Sequence, residues 1–344
     1  MNFHRKYFIR INEDVDVPLI GCIAFGVIDR GTNVVELRSN TYCPLNCIFC
    51  STDAGPYSCH RQSEYRVNRE LLVSYAKEMV KLKGKDVEFH LDSVGEPLAY
   101  NELPELIHDL KSIDGVKVVS LQTHGALLSY KLAEKLAAEG LDRINLSIDT
   151  TDPERAKFLQ GMPWYDVRKV MEVTEWIVKN TNIDVLLAPL LLPGVNEKDI
   201  EDVIEWGKKI GVGKRFPGYG IQLFLRHKHG RNPKNLKKMN FAEFEELLRY
   251  WEKKHGVKLI YSDEDFGIHK APSLPILFEK NEKVRVKIVA PGWLKNEWLA
   301  VPLGRFEGSR VITVIAEKLD IGVKIPVRII ENKHNIYLAR PVWQ

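Results

Sequence analysis

From residue 34 onward the apolar positions recur in two alternating rhythms. Runs of β-rich residues at 34–39, 87–92, 116–123, 143–149, 183–189 and 220–226 predict strands. Between them the spacing becomes helical: after Asn68, residues Leu71, Leu72, Tyr75, Ala76 and Met79 share one face until Gly84 ends it. Stretches 129–140 and 197–211 repeat that logic. Strand, helix and strand at this interval imply right-handed crossovers and a parallel sheet covered by helices. Six units rather than eight predict an open or partial barrel.

At either end the rhythm changes. Residues 1–33 read as a small β extension, with a hairpin around 29–33. After a helix near 240–254 and a Pro-containing linker at 270–280, helical spacing stops. Residues 281–344 carry "VRVKIVA", "EWLAVPL", "VITVIAE", "IPVRIIE" and "NIYLARP", five short strands that suit a small β-barrel of the oligonucleotide-binding kind. The expected fold class is α/β: a partial (β/α)6 TIM-like barrel over 34–270, followed by a small β-barrel over 281–344.

Side chains alternate across a strand, so each strand reveals two faces. In the second, Val87, Phe89 and Leu91 oppose Glu88, His90 and Asp92; in the fourth, Ile144, Leu146 and Ile148 oppose Arg143, Asn145, Ser147 and Asp149. The apolar set should meet the helices. Barrel interiors are usually filled by branched aliphatic residues, so this many inward polar groups imply a lumen for polar ligands, extended by Gln122, His124, Gln222 and Arg226. A hydrogen-bonded polar core is the plainer alternative.

A composition of 44% hydrophobic and 28% charged residues over 344 positions excludes disordered and fibrous classes and allows more than one domain. The most apolar run, 185–195, is eleven residues long and contains Pro189 and Pro193, whereas a membrane span needs about 20. The amino terminus has no apolar signal core. A cytoplasmic protein without a membrane partner is expected. Charge is uneven: residues 280–344 hold twelve Lys/Arg against six Asp/Glu, so the tail carries +6 of a net +4. Such asymmetry points to a polyanionic partner. "RHKHGRNPKNLKK", 226–238, adds six basic residues and no acid; Arg226, Lys228, Arg231 and Lys234 are candidate phosphate ligands, with a solvated basic loop as the alternative.

Three of five cysteines, Cys43, Cys47 and Cys50, fall within eight positions after the first strand. An odd, clustered set favours metal ligation over disulfides. Two readings are open: a structural zinc completed by Cys59 or His60, or a 4Fe-4S cluster held by three thiolates with one iron left free. Cys43-Pro44-Leu45-Asn46-Cys47-Ile48-Phe49-Cys50, then "SVGEPL" at 93–98, Thr123-His124-Gly125 and Ser147-Ile148-Asp149 stand in the order of motifs in the radical S-adenosylmethionine (SAM) superfamily. Residues 34–230 resemble that family.

The resemblance implies a 4Fe-4S cluster on Cys43, Cys47 and Cys50, with S-adenosyl-L-methionine on the fourth iron. It further implies reductive cleavage of that cofactor to a 5′-deoxyadenosyl radical, using an electron donor such as ferredoxin or flavodoxin. By the same resemblance, Gly95 and Glu96 meet the methionine amine, Thr123 and Ser147 its carboxylate or the ribose, and Phe49 the adenine. Ser93, Asp149 and Asn196 complete the expected cofactor set, although Asn196 also reads as a turn or helix cap. Val94 departs from the family's usual glycine. His90, His124 and Asn145 are the candidate catalytic residues. Residues 308–340 resemble a TRAM domain, which implies an RNA substrate such as tRNA. Methylthiolation would need three further cysteines, and only Cys22, read as a packed small hydrophobe, and Cys59 remain. The alternatives are a protein or small-molecule substrate, and a noncatalytic zinc-dependent nucleic-acid-binding protein using Cys43, Cys47, Cys50 and Cys59.

Overall fold

Small polar residues open the helices, and strands fill the intervals between them. The computed structural model describes residues 6–12, 15 and 17–342. The chain begins with β1 (Tyr7–Ile11), β2 (Gly26–Asp29), β3 (Val34–Arg38), β4 (Ser63–Val67), α1 (Arg69–Lys83) and β5 (Val87–Leu91). Next come α2 (Leu103–Lys111), β6 (Val116–Thr123), α3 (Tyr130–Ala138) and β7 (Arg143–Leu146). Two helices, α4 (Pro153–Leu159) and α5 (Val167–Asn180), precede β8 (Asp184–Leu187), β9 (Leu190–Leu191), α6 (Glu197–Ile210), β10 (Gln222–Leu223) and α7 (Phe241–His255). Asn68 accepts from Leu71 N–H, Ser129 accepts from Leu132 N–H, and Asn240 forms a capping box with Glu243.

The main sheet has the order β2-β3-β5-β6-β7-β8, parallel except for β2. The hairpin expected around 29–33 is therefore the edge of this sheet, while β1 pairs in parallel with β4. The sixth unit is shorter than its sequence suggests: β10 pairs with β9, and the chain just before it meets β8 by an isolated Leu187–Tyr219 bridge. The result is the expected partial barrel. Val87, Phe89, Leu91, Ile144 and Leu146 are buried in the core. On the other face Arg143 meets Glu88 at 2.6 Å, and Ser120 donates to the same carboxylate at 2.6 Å. These pairings let buried polar groups line the lumen without a large desolvation penalty.

Five further strands, β11 (Lys283–Pro291), β12 (Glu297–Pro302), β13 (Ile312–Ile315), β14 (Lys324–Glu331) and β15 (Leu338–Pro341), close a barrel in the order β11-β12-β13-β15-β14. Val286, Ile288, Val314, Val327 and Ile329 belong to its own core. Ala290, Trp293, Leu299 and Val311 instead join the core of the larger domain. The seam is hydrogen-bonded: Tyr65 donates to the Pro291 carbonyl (2.7 Å), and Gln62 Nε2 donates to the carbonyls of Gly292 (3.2 Å) and Glu297 (2.8 Å). Among the described residues no helix is long and apolar enough to cross a membrane.

Candidate active site

Residues just beyond the carboxyl ends of β3, β5, β6, β8 and β10, and Ser147 and Asp149 beyond β7, line one cavity of about 340 Å³. Cys43, Cys47 and Cys50 all face it, the first two buried. Burial, reinforced by Glu96, pushes the Cys43 thiol up to about 12, and burial with the neighbouring sulfurs raises Cys47 well above the ordinary range. Three thiolates so placed require compensating positive charge, which bound iron supplies. Donors already meet the sulfurs, since Ala54 N–H lies 3.2 Å from Cys50 Sγ. The donor set fits an iron–sulfur cluster.

Neither residue expected to complete a zinc site lines the cysteine cavity. Cys59 is exposed, with its thiol toward the Tyr57 carbonyl (3.7 Å), and His60 is held by Asp53 (3.1 Å). Cys22 is buried, as a small apolar residue would be.

Two arginines hold the cysteine loop. Arg61, whose side chain is wholly buried, donates to the carbonyls of Thr41 (2.7 Å), Thr52 (2.9 Å) and Val94. Arg231 arrives from the distant basic loop, where it was expected to face phosphate. Instead its guanidinium turns inward, donating to the carbonyls of Cys47 (2.8 Å) and Ala54 and pairing with Asp53 (3.0 Å), while its backbone N–H donates to Cys50 (2.8 Å). The approach is close enough that a Cβ on Gly230 would lie 2.9 Å from the Ser51 carbonyl oxygen. Arg226, Lys228 and Lys234 are exposed.

The turn after β5 explains the Val94 departure. A Cβ on Gly95 would lie 2.3 Å from the carbonyl oxygens of both Thr41 and Tyr42, so only glycine fits there. Val94 has no such constraint; it is buried and offers its carbonyl to Thr52 (2.8 Å). Ser93 Oγ bridges the turn, accepting from Gly95 N–H (2.9 Å). Glu96 accepts from Thr123 Oγ1 (2.6 Å), Leu98 N–H (3.0 Å) and His124 N–H (3.2 Å), and burial pushes its carboxyl up. Burial also raises Asp149, which accepts from Leu190 N–H and Gln160 Nε2 at 2.8 Å each. Gln160, absent from the sequence-derived set, receives the Cys47 thiol at 2.7 Å.

Phe49, Ser93, Gly95, Glu96, Thr123, His124, Ser147 and Asp149 thus meet around the cysteine cavity. His124 Nδ1 faces the Ser147 carbonyl (3.0 Å) and, because a carbonyl only accepts, carries the proton; Nε2 lies 4.0 Å from Cys47 Sγ. His90 lines a second, adjoining cavity of about 740 Å³; its Nδ1 contacts Ser120 Oγ (2.7 Å), and burial lowers its proton affinity. Two expectations are corrected. Asn145 lines neither cavity and receives Arg143 Nε (2.9 Å), so it serves the buried ion pair. Asn196 is also outside both cavities; its Oδ1 accepts from Leu192 N–H (2.7 Å) and its Nδ2 donates to Leu190 (2.9 Å), tying the β9 turn.

Residues 38–207 match the family model of the Radical SAM superfamily. The chain is 41% identical over 357 positions to the uncharacterized protein MJ0103 of Methanocaldococcus jannaschii, covering 98% of this chain and 81% of that one. A probable GTP 3′,8-cyclase of Methanosarcina mazei is 32% identical over 178 residues, 51% of each protein; the chain spans about half of that relative's length. Among solved structures, Streptococcus suis SuiB bound to precursor peptide SuiA superposes with a TM-score of 0.50 at 14% identity, over 67% of this chain and 48% of that one, a likeness of fold alone. The chain thus carries a radical SAM domain over residues 38–207. It is an enzyme whose cofactors are a 4Fe-4S cluster and S-adenosyl-L-methionine.

Proposed function

We propose that this radical SAM enzyme modifies a base in tRNA or another structured RNA. The observation that carries the reading is the closed five-stranded barrel, of the strand order used by oligonucleotide-binding folds, packed on the 60–65 segment whose Arg61 braces the cysteine loop. Its basic excess and its TRAM-like sequence at 308–340 favour the same partner. Exposed Arg226, Lys228 and Lys234 would meet phosphates near the reaction centre.

Cys43, Cys47 and Cys50 would hold the cluster, with Phe49 along the adenine and Gly95, Thr123 and Ser147 around the methionine and ribose. Bound there, the cluster and S-adenosyl-L-methionine supply a 5′-deoxyadenosyl radical that takes a hydrogen atom from carbon. The chain's own part is to orient and to keep water out: Val94, Leu45 and Leu223 give the cavity apolar walls. His90, neutral through burial, would stand at the substrate side as a hydrogen-bonding group. A reductant such as ferredoxin or flavodoxin would feed the cluster.

Mass spectrometry of tRNA nucleosides from cells with and without this protein tests the reading. One modified nucleoside should disappear in its absence; an unchanged profile rejects an RNA substrate. The similarity to GTP cyclases over the radical domain favours one second reading, a free nucleotide as substrate. In that case the nucleoside profile stays constant while a nucleotide is consumed by the purified enzyme.

A further inference from the structure

We infer that the 740 Å³ cavity is a nucleotide-binding chamber, and that Trp293 of the C-terminal barrel forms the wall against its base. The inference deepens the proposed function and shares its premise that the substrate contains a base. The chamber adjoins the cysteine cavity, with Asp92, Ser93, Gln122 and Gln222 common to both linings. A ligand seated in it therefore borders the reaction centre. Its size lies within the range of small-molecule sites.

Across from these residues the wall comes from the other domain, through Trp293 and Leu294 between β11 and β12. This loop is fixed rather than free. The Trp293 carbonyl accepts from Gln62 N–H (3.0 Å), Lys295 N–H donates to His60 (2.9 Å), and Arg61 lies 4.9 Å from the Trp293 ring. Only 7% of Trp293 is exposed, and its indole N–H has no hydrogen-bond partner. The barrel is thus part of the chamber as well as a neighbour of it.

The lining chemistry specifies the ligand class. An indole offers a flat apolar surface, and two carboxamides offer donors and acceptors suited to a base edge. Gln122 gives one N–H to Ser147 (2.6 Å), which leaves its carbonyl and its second N–H for a ligand. Charge settles the rest. Arg38 holds both acids of the chamber, Glu36 and Asp92, at 2.9 Å, and Arg30 holds Glu36 again at 2.5 Å. Lys228 makes no ion pair among the described residues, so the chamber's spare charge is positive. A planar hydrogen-bonding ring joined to an anion is a nucleotide, either free or as a unit of RNA.

The test uses the anaerobically reconstituted holoenzyme with S-adenosyl-L-methionine. Binding of nucleoside 5′-monophosphates and of bulk tRNA is measured for wild type, Trp293→Ala, Trp293→Phe and Gln222→Ala, with iron content as the check of folding. At least one probe should bind. Its affinity should fall about tenfold or more in Trp293→Ala and in Gln222→Ala, and within about threefold of wild type in Trp293→Phe. Ultraviolet crosslinking of the bound probe to the wild-type peptide spanning 291–297 keeps the test open if Trp293→Ala does not fold. Monophosphate binding without tRNA binding sustains the chamber and rejects the RNA reading. Binding of tRNA that ignores both alanine variants and gives no crosslink overturns the chamber and leaves the RNA reading standing. Binding of neither probe overturns the chamber outright.

Discussion

Single atoms decide several features of this site. At Gly95 one methyl group would collide with two backbone carbonyls, whereas Val94 beside it is packed without conflict. Gly95→Ala is expected to cost about 3 kcal/mol or more, as overpacking against rigid backbone does, and to lower the iron-to-protein ratio after reconstitution. Val94→Gly removes a buried side chain, for a loss of about 2 kcal/mol, yet should still release 5′-deoxyadenosine with dithionite. Urea unfolding and deoxyadenosine assays separate the two. Arg231 makes a different kind of case. Its guanidinium holds two carbonyls of the cysteine loop and the Asp53 carboxylate. Arg231→Met should therefore surrender iron to a chelator at least about tenfold faster, since the Asp53 carboxylate loses its arginine charge and two loop carbonyls lose the same donor. Lys234→Ala, on the exposed part of the same loop, should bleach at the wild-type rate.

At the level of elements, one buried ion pair ties three parts of the chain. Lys83, at the end of α1, reaches Asp29 on β2 at 2.6 Å, and the same carboxylate accepts from Gly31 N–H (2.9 Å) and from Leu274 N–H (2.7 Å) in the interdomain linker. Lys83→Met strands that carboxylate and should destabilise the fold by about 3–5 kcal/mol in denaturant titrations. Next door on β3, burial alone would raise Glu36, but the hydrogen bond from Arg30 and the charges of Arg38 and Arg30 hold its carboxyl below the ordinary range. A carboxyl lowered on folding stabilises the protein above its unfolded value of about 4.3 and loses that contribution as pH falls through the folded value. Urea midpoints of the apoprotein between about pH 6 and about pH 3 should accordingly fall more steeply for wild type than for Glu36→Gln. The elements themselves were legible because period-two and helical spacing are local properties. So were the cysteines, Gly95 and Thr123, which lie within short motifs at strand ends. Arg231 was out of reach of spacing because its partner Cys47 lies 184 residues away, whereas Asn145 and Asn196 bond within their own segments, to Arg143 and to Leu190 and Leu192, and Asn196 takes the turn role that its sequence also allowed. Arg61, Gln160 and Trp293 carried no sequence signal at all, since nothing local marks a residue whose partners are backbone carbonyls, as for Arg61, side chains of other strand ends, as for Gln160, or another domain's loop, as for Trp293.

Across the whole molecule, the two domains share structure as well as surface. Val311 N–H donates to Ile20 (2.8 Å), Tyr337 N–H donates to Gly21 (3.0 Å), and Trp293 is buried in the larger core. Removing residues 281–344 would strip these partners and take Trp293 from Arg61, which braces the cysteine loop, so a truncated chain confounds loss of RNA with loss of cluster. Charge variants on the exposed loop avoid that difficulty. Each phosphate neutralised by a lysine or arginine contributes roughly 0.7–0.9 to the slope of log affinity against log salt. Arg226, Lys228 and Lys234 are exposed and stand apart from the brace that Arg231 provides. Replacing all three by alanine should flatten the slope for tRNA by about 2–3 while iron content stays at the wild-type level. An unchanged slope would move the phosphate contacts off this loop and onto the barrel's own basic residues, where Lys287→Ala and Arg285→Ala would then have to account for it.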